Sequence, residues 1–148
     1  MLVLLGFATP ATAAGDSDST VAGDDRMALA AGPCGSSYRH IGHYAVGTSP
    51  VIGYMDVYWS STAKRNCMVT NHAGPTYGVR LYTQATIKPH GSAYAWPPCP
   101  SVGCDDGRYS YYAGPVYTPA GVDMSNKCID IKGAIDWTQA SRTRIHCG

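Results

Sequence analysis

The sequence predicts an all-β fold: a single disulfide-stapled antiparallel sandwich or small barrel of about six to seven strands, without substantial helix. Three observations predict it. From Cys34 onward there is no Glu, no Phe and a single Leu, Leu81. Glu and Leu are among the strongest helix formers, so helices of any length lack their usual material. All 11 Tyr and all three Trp lie in the same stretch, where Val, Ile and Thr accompany them. These side chains suit a pleated, half-buried surface. Third, Gly and Pro recur every few residues, which marks short elements joined by turns.

The strands follow in order. Tyr38–Val46 reads as the first. In 52–59, Met55, Val57 and Trp59 fall on one face and Tyr54, Asp56 and Tyr58 on the other, the two-residue alternation of a strand. The polar run 60–66 links it to Cys67–Asn71, the second arm of a hairpin. Tyr77–Lys88 alternates Val79, Leu81, Ala85 and Ile87 with Arg80, Tyr82, Gln84, Thr86 and Lys88. Short links between successive strands read as an antiparallel meander. Residues 89–107 hold four prolines and read as a long loop, with Asp105-Asp106-Gly107 as a turn. Strands resume at 108–117, 127–132 and 134–147.

Six cysteines, Cys34, Cys67, Cys99, Cys104, Cys128 and Cys147, all lie in this domain. An even count behind a leader-like start reads as three disulfides formed in an oxidising compartment. Six cysteines allow 15 pairings, so the sequence leaves connectivity open. The favoured set joins Cys99 to Cys104 across four residues, Cys34 to Cys147 at the chain ends, and Cys67 to Cys128.

Residues 1–14 form a short apolar run ending in small residues, with Ala11-Thr12-Ala13 matching a signal-peptidase pattern. At 14 residues it falls short of the roughly 20 apolar residues that a membrane-spanning helix needs. The expectation is a signal peptide, secretion, and no membrane attachment after cleavage. Residues 15–33 carry four Asp against one Arg, lack aromatics, and read as a disordered acidic arm. Residues 34–148 then form the domain, at net +4. That modest charge has no Arg run, which argues against nucleic acid as a partner.

The search for chemistry is short. His40-Ile41-Gly42-His43 spells a motif known from nucleotidyl-transferring synthetases, but the setting is a strand, where residues three apart face opposite ways. The two histidines therefore read as ordinary polar strand residues, not a metal pair. Without Glu, paired carboxylates reduce to Asp105 and Asp106; with Asp123 added they still fall short of the roughly 6–8 oxygen ligands a surface Ca²⁺ needs. No nucleophile elbow is present. The expectation is no catalytic, cofactor-binding or metal residue and no enzyme activity. Tyr94 and Trp96 in the long loop are the candidates for partner or glycan contact. A covering loop whose Trp96 packs on the sheet, and a disulfide-braced loop that plugs a protease cleft, are the competing readings.

The strings Gly53-Tyr54-Met55-Asp56-Val57-Tyr58-Trp59, Lys64-Arg65-Asn66-Cys67-Met68-Val69 and Tyr112-Ala113-Gly114-Pro115-Val116, with Lys127-Cys128 downstream, carry a resemblance. Over about residues 38–132 the chain resembles the spore-associated protein A family, small exported proteins of spore-forming filamentous actinomycetes. The resemblance implies an extracellular protein of the spore or cell envelope and supplies no catalytic residue. The functional expectation is a secreted, non-enzymatic structural or interaction protein with an envelope or secreted protein partner. An adaptor docking through the 15–33 arm, a glycan-binding module and a protease inhibitor are the alternatives.

Overall fold

The computed structural model describes residues 32–148; the signal-peptide segment 1–14 and nearly all of the 15–33 arm lie outside the described residues. Alternating apolar and polar residues lay down eight strands: β1 (Arg39–Val46), β2 (Gly53–Ser60), β3 (Arg65–His72), β4 (Leu81–Pro89), β5 (Cys104–Tyr109), β6 (Tyr112–Tyr117), β7 (Ile129–Ile135) and β8 (Thr138–Ile145). A single 3-10 turn, Gly74–Thr76, is the only helical element among the described residues. All strand pairs are antiparallel, in two four-stranded sheets ordered β1-β2-β3-β6 and β5-β4-β7-β8. The sheets stack as an open sandwich rather than closing into a barrel.

The core lies between them. Met55 and Val57 of β2, Met68 of β3, Ala85 and Ile87 of β4, and Ile129 and Ile131 of β7 are buried there. Trp59 packs against the cluster, so the alternation read in 52–59 places the inner face correctly. Gly133 allows the sheets to approach: a Cβ there would stand 2.7 Å from Met55 Cγ and 2.8 Å from Thr70 Oγ1. A second, smaller cluster lies on the outer face of the first sheet. Cys34, Cys67 and Val69 form it, with Tyr38, Tyr58 and Tyr117 packed around. The segment leading into β1 thus folds over one half of that face.

Several expectations need correction. There are eight strands, because 108–117 is interrupted at Ser110-Tyr111 and its halves sit in different sheets. The meander covers β1, β2 and β3; β4 then leaves for the second sheet. That strand begins at Leu81 rather than at Tyr77, and Val79 is exposed. Asp105-Asp106-Gly107 is part of β5, not a turn. Asp105 accepts hydrogen bonds from the Tyr109 hydroxyl and the Gly114 N–H, both at 2.7 Å, which holds β5 to β6 across the sheet boundary. Its carboxylate is therefore committed to the fold, while Asp123 accepts from Ser125.

The disulfides are Cys34–Cys67, Cys99–Cys104 and Cys128–Cys147. The expected Cys34–Cys147 and Cys67–Cys128 pairs do not form. Cys34 lies over the first sheet, whereas Cys128 and Cys147 flank the paired ends of β7 and β8, where Ile129 faces Ile145. Hairpin register sets those partners, and chain position does not.

Candidate functional site

Two regions outside the core carry concentrated chemistry: the outer face of the first sheet and one pole of the sandwich. The outer face begins with a bulge. Along β1 and β2, His40 faces Tyr58, Gly42 faces Val57 and His43 faces Asp56; the register shifts between His40 and Gly42, so Ile41 is the extra residue. An extra residue in one strand reverses the alternation beyond it. His40 and His43 therefore lie on one face, the face of Tyr54, Asp56 and Tyr58, and not on opposite faces as strict two-residue spacing requires. Ile41 packs against the core instead.

The result is a convergent cluster. His40 Nε2 lies 2.8 Å and His43 Nδ1 2.6 Å from the same oxygen, Asp56 Oδ1. Asn71 Nδ2 donates to Asp56 Oδ2 at 2.8 Å. Asp56 is nearly buried, with 12% of its side chain exposed, while His40 and His43 keep 47% and 52%. Tyr54 stacks on the His43 ring at 3.9 Å between centroids, and Tyr58 lies 5.2 Å from that of His40. A carboxylate at the sheet surface thus sits beneath two solvent-facing imidazoles held by aromatic walls.

The pole is aromatic. Leu81 pairs with Tyr109, the Asp136 N–H donates to the Tyr82 carbonyl, and the His72 N–H donates to the Tyr111 carbonyl. These links gather the chain around Tyr77, Tyr82, Tyr111, Tyr112 and Trp137 at one end of the sandwich, all of them exposed. Trp137, at the β7–β8 turn, is 92% exposed and Tyr77 is 67% exposed. Tyr77 and Tyr111 meet edge to face at 5.2 Å. Sequence reading missed this pole because its members come from four separate segments. The signal was there in Trp137, a Trp beside Asp136 in a short polar link.

The loop candidates lie elsewhere. Both Tyr94 and Trp96 are partly buried. Lys132 Nζ stands 4.0 Å and Lys88 Nζ 5.3 Å from the Trp96 ring centroid, so the indole rests on cations of β7 and β4. Tyr94 lines a cleft of about 570 Å³ between the loop, the end of β4 and Tyr117. Beneath the loop, Lys88 Nζ lies 3.0 Å from Asp130 Oδ2, with 10% and 8% of the side chains exposed. His90 Nδ1 and the Arg144 N–H reach Asp130 Oδ1 at 2.8 and 2.9 Å. Burial alone would raise the Asp130 carboxyl, but these donors and the Lys88 charge together hold it below the usual carboxylate range.

One buried imidazole–hydroxyl contact is present. His72 Nε2 meets Thr83 Oγ1 at 2.7 Å, and its Nδ1 donates to the Thr76 carbonyl at 2.8 Å. Both side chains are closed to solvent, so the contact braces β3 against β4.

Comparison with known proteins finds a relative of this chain. Spore-associated protein A of Streptomyces coelicolor is 31% identical over 120 residues, 79% of this chain. The chain spans 66% of that relative's own length. No protein-family model matches the chain, and no solved structure matches it.

Proposed function

The chain is a relative of Spore-associated protein A, and from that premise we propose a non-enzymatic structural and interaction protein of the spore or cell envelope, working outside the cell. The aromatic pole carries this reading. Five exposed aromatics on a scaffold stapled by three disulfides present large contact area at low entropic cost. Disulfides persist in oxidising compartments, which supports an extracellular location.

Fractionation of a sporulating culture tests the reading. Antibody against the chain should find it in the washed spore or wall fraction, released by denaturant but not by salt alone. Recovery only from the cytosol, with reduced thiols, would defeat it.

A further inference from the structure

We propose that His40, His43 and Asp56 form a binding site for a divalent transition-metal ion of the Zn²⁺ class. Their ligand atoms, one imidazole nitrogen from each histidine and a carboxylate oxygen, all lie within 4.8 Å of one another. Zn²⁺ binds imidazole nitrogen at about 2.0–2.1 Å, which puts two ligands of a tetrahedral ion about 3.4 Å apart. The present separations from Asp56 Oδ1 are 2.8 and 2.6 Å. Small outward rotations of the two half-exposed rings would convert the hydrogen bonds into coordination.

The surroundings are those of a built site. The β1 bulge puts both rings on the carboxylate's side of the sheet. Asn71 occupies Asp56 Oδ2 and leaves Oδ1 to the histidines, the kind of outer hydrogen bond that orients a metal-binding carboxylate. Tyr54 fixes the plane of the His43 ring by stacking. The donor set selects the ion: two imidazoles and one carboxylate suit Zn²⁺, Cu²⁺ or Ni²⁺, whereas Ca²⁺ and Mg²⁺ take oxygen ligands. Three protein ligands under exposed rings leave further coordination positions open to water or to a donor group from outside. No free cysteine is present among the described residues, so thiolate does not compete for the ion.

The test uses the untagged full chain with its disulfides intact, stripped by a chelator and titrated calorimetrically with Zn²⁺ alone. One Zn²⁺ should bind per chain. Replacing both histidines, His40→Ala with His43→Ala, should abolish that binding. Asn71→Ala should weaken it by about 10–100-fold, the usual cost of losing an outer-shell partner. His90→Ala, just past the end of β4 in the other sheet, should bind as the parent does. NMR of the unaltered chain makes the result independent of variant folding: Zn²⁺ should shift the imidazole signals of His40 and His43 and leave those of His90 in place. Absence of binding heat, undiminished binding by the folded double variant, or shifts confined to His90 would each overturn the proposal.

Discussion

Replacing Lys88 by Met should destabilise the fold by about 2–3 kcal/mol. Lys88 and Asp130 form an ion pair at 3.0 Å with barely a tenth of either side chain exposed. Removing one member of such a pair strands the other charge, which typically costs about 3–5 kcal/mol. Asp130 would keep two donors, the Arg144 N–H and His90, so the cost should fall at or below the low end of that range. Methionine preserves the aliphatic stem, so no cavity term adds to it. For a domain of this size the change corresponds to a melting-temperature drop of roughly 8–12 °C. Adding Asp130→Asn to Lys88→Met should recover part of the loss, because the stranded charge disappears while an acceptor for Arg144 remains.

Acidity gives a second reading of the same pair. The folded Asp130 carboxyl is held below its unfolded value. Its stabilising contribution is complete above the unfolded value of about 3.9 and is lost as pH falls through the depressed folded value. The Lys88→Met penalty should therefore shrink in strong acid. Urea unfolding curves at neutral and acidic pH, for parent, single and double variants, measure all of this. A neutral-pH penalty under about 0.5 kcal/mol, within the range of ordinary surface changes, would refute the reasoning. So would a double variant less stable than the single one.

Three further outcomes follow from the packing. Thr70 Oγ1 is buried with no hydrogen-bond partner, so Thr70→Val should be neutral or stabilising by about 1 kcal/mol in urea melts. Trp96→Ala removes the ring over Lys132 and Lys88 and should lower stability by about 1–2 kcal/mol, read by thermal melting. Replacing Cys128 and Cys147 together by Ala opens a loop of sequence separation 19 and should cost about 3 kcal/mol in the same assay.

Much of the fold was legible because it rests on local chemistry. The want of Leu and Glu excludes helices, and the alternation of Met55, Val57 and Trp59 with Tyr54, Asp56 and Tyr58 fixes both faces of β2. What escaped depends on non-local geometry. Nothing in His40-Ile41-Gly42-His43 announces that Ile41 is an extra residue; the register against β2 decides it, and with it the whole His40–His43–Asp56 cluster. The break at Ser110-Tyr111 is equally silent, since Tyr109 and Tyr112 are both good strand residues. Cys128 and Cys147 were within reach. A hairpin turning at Asp136-Trp137 places them side by side, whereas position along the chain suggests the ends.

Retention of the purified chain on isolated spore envelopes tests the central claim, that the aromatic pole is the contact surface of an envelope protein. The comparison is between the parent and a triple variant, Tyr111→Ala, Tyr112→Ala and Trp137→Ala, all at exposed positions. One hot-spot aromatic typically contributes about 2 kcal/mol or more, so even if only one of the three is a hot spot the triple variant should lose at least about thirtyfold in affinity while its melting temperature holds. Equal retention of the two proteins, with both folded, would contradict the account.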